Sequence, residues 1–193
     1  ILEIILNQFK DSGFKKFYIT VNYLKEKIIR YFGDGKKFGV EIIYIEEDNY
    51  LGTAGSLSLV DSNFSSPLIV INGDVLSKVN YNQLLNFHSE SRSFATICIR
   101  EHKLNVPFGV VEVKGNEVIK IKEKPEFNFY VNAGIYVFDK NVFNFLEKNK
   151  YCDMPDFLEK LKINGKTLIG FPIHEYWLDI GKPDSFNKAS IDW

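Results

Sequence analysis

The sequence is poor in cysteine: its 193 residues hold only Cys98 and Cys152. Two thiols so far apart make neither a zinc-ligand spacing nor a disulfide framework. A reducing, cytoplasmic setting fits that usage. A charge of one sign is missing too. Lys and Arg number 24 against 25 Asp and Glu, a net charge of −1. No overall basic field exists to draw in nucleic acid or an anionic membrane, so a bound phosphate must be held by local groups or by a metal. No apolar run approaches the length of a membrane span, and no secretory signal is visible. Repeats, low-complexity tracts and linkers are absent. The first residue is Ile1, in mid-pattern and without an initiator methionine, so removal of an upstream segment is the expectation.

What is present is a globular composition. Hydrophobic residues make up 45% of the chain, with 17 Phe and 10 Tyr to fill a core. The length suits one domain over residues 1–193. Apolar residues at helical spacing run from Ile1 to Phe9 and stop at Gly13. A strand follows over Phe17–Val21, a helix over Leu24–Phe32 and a strand over Val40–Ile45. Such alternation predicts βαβ units and a mainly parallel sheet flanked by helices. Later segments add helices at Tyr81–Ser91, Asp139–Glu147, Met154–Ile163 and from Pro183 towards Trp193. Further strands are predicted at Phe94–Arg100, Tyr130–Phe138 and Thr167–Ile173. Phe108 to Lys122, turning at Lys114-Gly115-Asn116, reads as an exposed antiparallel hairpin.

The chain is organised around Ile69-Val70-Ile71-Asn72-Gly73-Asp74. Three β-branched residues predict a strand buried on both faces. It ends in a turn that carries a carboxylate, at the sheet edge where open α/β folds bind ligands. Asp74 there can hold a divalent cation, and Gly73 lets a ligand approach the backbone. Taken alone, Asn-Gly-Asp is also a common turn. Leu51-Gly52-Thr53-Ala54-Gly55 is a turn of small residues leading into a short helix over Ser56–Val60. It is no P-loop, since no Gly-Lys-Ser/Thr follows. It suits a flat ring lying against the backbone, or an ordinary loop. Asn132 inside an apolar strand must either satisfy a neighbour or face a ligand. Glu123 with Lys124, and Asp179 within Tyr176–Gly181, are further polar interruptions. Each has a plain structural reading as a solvated or paired residue.

Six stretches in order carry a resemblance: Leu51–Gly55, Asn72-Gly73-Asp74, Phe108-Gly109-Val110-Val111, Glu123-Lys124-Pro125, Asn132-Ala133-Gly134 and Trp177–Gly181. Together they resemble the sugar-1-phosphate nucleotidyltransferases. The nearest in character are the guanylyltransferases that make activated mannose-like or hexosamine sugars. The resemblance implies a Rossmann-like nucleotidyltransferase fold with a small antiparallel flap on the sugar side. It implies transfer of a nucleoside monophosphate from a nucleoside triphosphate to a sugar 1-phosphate, with pyrophosphate released. Glu47, Leu51, Gly52, Thr53 and Ala54, with Asn72 and Gly73, would hold the nucleotide. Asp74 and Asp179 would share Mg²⁺. Gly109, Glu123, Lys124 and Asn132 would hold the sugar phosphate, Lys124 acting as a point charge. The implied partners are the two substrates, with no nucleic acid or membrane and with room for a homo-oligomer.

One departure stands out. The family's Gly-rich loop, with its Arg and Pro-Lys, follows a first strand, and neither lies within this sequence. The domain is therefore expected to be N-terminally truncated and to have little or no transferase activity alone, with sheet edges that a partner chain or swapped segment could cover. The alternative is a catalytically dead sugar-nucleotide-binding or regulatory subunit. Retention of both Asp74 and Asp179 favours the enzyme. A glycosyltransferase would be expected to show an Asp-x-Asp motif, which neither aspartate forms. As to the base, Glu47 stands where many uridylyl- and thymidylyltransferases of the family carry Gln. A carboxylate only accepts, which suits the two adjacent donors of guanine and opposes the carbonyls of uracil. GTP is thus the favoured donor.

Overall fold

The computed structural model describes residues 1–60 and 64–181. The helix expected from Pro183 lies outside them. The helices are α1 (Leu2–Asp11), α2 (Lys25–Phe32), the four-residue α3 (Gly52–Gly55), α4 (Tyr81–Glu90) and α5 (Met154–Ile163). The strands are β1 (Lys16–Val21), β2 (Glu41–Glu46), β3 (Leu68–Ile71), β4 (Val75–Ser77) and β5 (Ala95–Asn105). They continue as β6 (Val110–Lys114), β7 (Glu117–Lys122), β8 (Glu126–Phe138), β9 (Leu168–Pro172) and β10 (Trp177–Asp179).

The architecture is α/β, Rossmann-like, with a mixed sheet between helices. β3, β8, β5 and β9 form a four-stranded sheet in that order. The expected parallel pairing is present in β1–β2 and β5–β9. β8 departs from it, running antiparallel to both β3 and β5. The cause is the flap: β5 leads into the β6–β7 hairpin, and β8 returns alongside β5, as a chain must after a hairpin insertion. β6 and β7 pair antiparallel, and every residue of β7 is exposed.

Strand periodicity sets the layers. Successive residues of β8 face opposite ways. Ile135 and Val137 pack with Ile5 and Phe9 of α1 and with Tyr81 and Leu84 of α4. Tyr136 and Phe138 pack with Leu57 and with Met154, Phe157 and Leu161 of α5. Phe9 stacks on Tyr81 with ring centroids 3.8 Å apart. β8 is thus the central strand of the core. Leu68–Ile71, expected to be buried on both faces, are only half-buried. Among the described residues β3 pairs with β8 alone, so it lies at an edge of its sheet.

Two short strands escape sequence periodicity. Val75–Ser77 pairs antiparallel with Trp177–Asp179, with Val75 opposite Asp179. Three residues are too few for a period-two pattern to be read. The predicted strands Phe94–Arg100 and Tyr130–Phe138 are longer than expected. They reach Asn105 and start at Glu126, and together form the arm that carries the flap. The expected helix at Ser56–Val60 is a 3₁₀ turn over Ser56–Leu59 that continues directly from α3. Cys98 is buried, and both cysteines are free.

Candidate functional site

The site begins at an irregularity in β8. Ile97 pairs with Tyr136, and Ile99 with Asn132. Between those pairs β5 has Cys98 alone, whereas β8 has Ala133, Gly134 and Ile135. The extra residues bulge, which re-aims the side chains around them. Gly134 sits at φ +71°, and a Cβ there would lie 2.9 Å from Nδ2 of Asn72. An L side chain is disfavoured there by its own backbone and by that close approach. The Asn72 N–H donates to the Gly134 carbonyl at 2.9 Å. Asn132 uses its amide twice: Oδ1 accepts from the Gly134 N–H at 3.0 Å, and Nδ2 donates to the Tyr136 hydroxyl at 2.8 Å. Trp177 Nε1 donates to the Ala133 carbonyl at 2.8 Å and so fixes β10 against the bulge.

Beside the bulge lies a cleft of about 360 Å³, bounded by Asn72, Asn132, Gly134 and Tyr136 on one side and by Thr53 with Asp153, Met154 and Pro155 on the other. Among the described residues its walls hold amides, hydroxyls and the Asp153 carboxylate, with no lysine or arginine. They can exchange hydrogen bonds with a neutral polyhydroxylated ring and offer no counter-charge to a phosphate.

The turn Leu51–Gly55 is folded against the chain ahead of α5. The Ala54 and Gly55 N–H groups both donate to the Cys152 carbonyl, at 2.9 and 3.0 Å, and the Cys152 N–H donates to the Leu51 carbonyl at 2.8 Å. Gly52 sits at φ +79°, where a Cβ would lie 2.6 Å from the Cys152 carbonyl oxygen. The small residues of this turn are therefore demanded by its own packing. Leu51, Gly52 and Ala54 are buried, while Thr53 is exposed at the cleft. Glu47 is half-buried, and its Oε2 accepts from the Leu51 N–H at 2.9 Å. One of its carboxylate oxygens thus already helps to fold the turn.

Asp74 and Asp179 come together through the β4–β10 pair. The Ile180 N–H donates to the Asp74 carbonyl at 2.9 Å, and the Gly181 N–H donates to Asp179 Oδ1 at 2.9 Å. A Cβ on Gly181 would lie 3.2 Å from Asp179 Oδ1 and 3.3 Å from Asp74 Oδ2. Both aspartates are solvent-exposed. Among the described residues no group of three or more His, Cys, Asp or Glu is placed to hold a metal. Two carboxylates with a bare glycine beside them nevertheless fit Mg²⁺, which takes one or two protein carboxylates and fills its octahedron with water and phosphate oxygens. Gly73 is exposed, with open space where a Cβ would stand.

Gly109, Glu123 and Lys124 lie apart from the cleft lining, at the root of the β6–β7 hairpin. A Cβ on Gly109 would lie 3.1 Å from Glu123 Oε2, so those two are neighbours. Lys124 is exposed and takes a left-handed backbone at φ +42°.

The chain matches the family model described as nucleotidyl transferase over residues 1–193. It belongs to that family. Relatives include the mannose-1-phosphate guanylyltransferase of Mycobacterium tuberculosis, at 29% identity over 97% of this chain and 54% of the relative. The UTP–glucose-1-phosphate uridylyltransferase of Synechocystis is also 29% identical, over 98% of this chain and 54% of the relative. The bifunctional protein GlmU of Methanococcus maripaludis is 33% identical over 95% of this chain and 44% of its own length. The chain thus spans about half the length of the curated relatives it matches. Among solved structures, HddC from Yersinia pseudotuberculosis superimposes with a TM-score of 0.74, covering 97% of this chain and 83% of that one at 24% identity. That likeness bears on the fold alone.

Tyr136 and Asp153 were not foreseen as part of the site. Tyr136 reads as an ordinary aromatic of the strand Tyr130–Phe138, and Asp153 lies just outside the helix expected over Met154–Ile163. Neither the bulge nor the contact between Asp153 and Thr53 leaves a local sequence signal.

Proposed function

We propose that the protein transfers a nucleoside monophosphate from a nucleoside triphosphate, GTP being favoured, to a sugar 1-phosphate, with release of pyrophosphate. The observation that carries this reading is the convergence of Asp74 and Asp179 on Gly181, in the segment that continues from the cleft-lining Asn72. In the reaction a phosphate oxygen of the sugar 1-phosphate bonds to the α-phosphorus as the bond to the bridging oxygen breaks, and pyrophosphate carries that oxygen away. No protein nucleophile is required; positioning and charge neutralisation are. Asp74 and Asp179 would hold Mg²⁺, which supplies positive charge to the triphosphate oxygens. The Leu51–Ala54 turn carries the base, with Glu47 at its edge. The polar cleft takes the sugar ring, with Asn132 and Tyr136 beside its hydroxyls. Glu123 and Lys124, at the root of the hairpin, meet the sugar phosphate, with Lys124 as a mobile point charge.

GTP as donor rests on Glu47, whose remaining lone pairs can accept from the N1–H and amino group of guanine. The relatives divide between guanylyl and uridylyl transfer by name, so family membership does not choose the donor. The test is pyrophosphate release by the complete gene product, with mannose 1-phosphate and hexosamine 1-phosphates against GTP, UTP and dTTP. GTP should be preferred by about tenfold or more, and Glu47→Gln should move the preference towards UTP. Equal use of UTP or dTTP by the unsubstituted protein overturns the donor assignment. Nucleotide-sugar binding without turnover would identify a regulatory subunit instead.

A further inference from the structure

Asp153 occupies the residue before α5 with an extended backbone, φ −86° and ψ 153°, the usual place and shape of a helix N-cap. Its side chain nevertheless makes no hydrogen bond to the first turn of its own helix. Oδ1 accepts instead from the Thr53 N–H at 3.2 Å, at the start of α3. Thr53 returns the contact: its hydroxyl oxygen accepts from the Met154 N–H of α5 at 2.8 Å. Each helix start is thus capped by a side chain from the other, across 100 residues of sequence. Oδ2 of Asp153 is engaged as well, accepting from the Tyr151 hydroxyl at 2.6 Å. Tyr151 in turn packs edge-on against Tyr50, just ahead of the turn, with centroids 6.0 Å apart. The backbone bonds to Cys152 hold the buried side of the turn, and the Asp153–Thr53 exchange holds the side that faces the cleft.

We infer that Asp153 is a positioning residue for the nucleotide. Its carboxylate, with the Thr53 hydroxyl, locks the Gly52–Gly55 turn to α5, so that the surface for the base and one wall of the cleft form a single rigid piece. The inference rests on the reading of that turn as the base-binding surface. A side chain that locks the turn through an accepted hydrogen bond needs its oxygen more than its charge. The amide of asparagine offers the same acceptor and alanine does not. The lock therefore acts on nucleotide affinity, since a turn preorganised for the base costs less to order on binding.

The experiment is steady-state kinetics on the complete gene product with saturating sugar 1-phosphate and varied nucleoside triphosphate. Asp153→Ala should raise KM for the nucleotide about tenfold or more while kcat changes by less than about threefold. Asp153→Asn should restore KM to within about threefold of the unsubstituted enzyme. Should Asp153→Ala fail to fold, Thr53→Val and Thr53→Ser examine the same exchange from the other side, with valine expected to raise KM and serine to keep it. An Asp153→Asn variant as impaired as alanine overturns the inference, because the charge would then be acting on substrate directly. Unchanged nucleotide KM in Asp153→Ala, in an enzyme that turns over, overturns this inference and leaves the proposed function standing. Absence of turnover with every triphosphate overturns both.

Discussion

Asp74 and Asp179 lie on the same side of Gly181, each with a carboxylate oxygen where a methyl group on that glycine would touch it. The register of β4 with β10 places them so, by pairing Val75 with Asp179. The backbone of Asp74 lies in a turn closed by the Val75 N–H donating to the Asn72 carbonyl at 3.2 Å, and the Asp179 carboxylate accepts from the Gly181 N–H at 2.9 Å.

The first prediction concerns that bare glycine. A Gly181→Ala side chain would stand 3.2 and 3.3 Å from the two carboxylate oxygens, tighter than ordinary contact, in space a cation and its waters would use. Divalent binding should weaken by about tenfold. The measurement is Mn²⁺ binding followed by electron paramagnetic resonance, without substrates, so that catalysis does not enter. The midpoint of thermal unfolding should stay within about 2 °C, since Gly181 is exposed. Unchanged Mn²⁺ affinity would show that the two aspartates do not share an ion at this point.

A second prediction tests the β8 bulge. Gly134→Ala places a side chain on a backbone at φ +71° and brings its Cβ to 2.9 Å from Asn72 Nδ2. The backbone strain alone amounts to about 1–2 kcal/mol. Urea unfolding should therefore show a destabilisation of at least about 1 kcal/mol. Displacement of Asn72 should also lower nucleotide-sugar affinity in the folded variant, read by titration calorimetry. Full stability in Gly134→Ala would mean that the bulge relaxes without resistance.

Most of the element order was legible in the sequence because its helices are amphipathic and its strands are bounded by Gly, Pro, Asn or Asp. Tyr81–Glu90, Met154–Ile163 and the hairpin around Gly115 are where periodicity and turn residues put them. The direction of β8 was not legible, since alternating residues read the same in parallel and antiparallel pairs. The unusual Asn132 marked the site, but the bulge that turns it towards Tyr136 comes from a register mismatch with β5, and a single strand does not carry its partner's register. The small residues of Leu51–Gly55 suggested room for a ring. The structure shows that Gly52 and Gly55 are required first by the carbonyls of Cys152 and Lys150. The Asp153–Thr53 exchange was invisible for the same reason as the bulge: its partners are distant in sequence and each is ordinary where it stands.

The last prediction is a pH dependence of stability arising away from the site. His88, at the end of α4, is only 3% exposed. Its Nδ1 lies 2.9 Å from the Thr96 hydroxyl and 3.2 Å from the Ser93 hydroxyl, and those hydroxyls are 3.0 Å apart. Burial pushes the imidazole below its ordinary 6.5, and the distant charge of Asp139 opposes this only in part. The unfolded chain therefore takes up the proton first as the pH falls. The stability contributed by neutral His88 is complete above about pH 6.5 and is lost as the pH drops from there through the lower folded-state value. Urea midpoints measured from pH 7.5 down to 5 should fall more steeply for the unsubstituted protein than for His88→Gln, which has no proton to gain. Stability at pH 7.5 should itself drop in His88→Gln, by about 1–3 kcal/mol, because the Ser93 and Thr96 hydroxyls lose a buried partner. Parallel pH profiles for the two proteins would show that His88 keeps its ordinary proton affinity despite its burial.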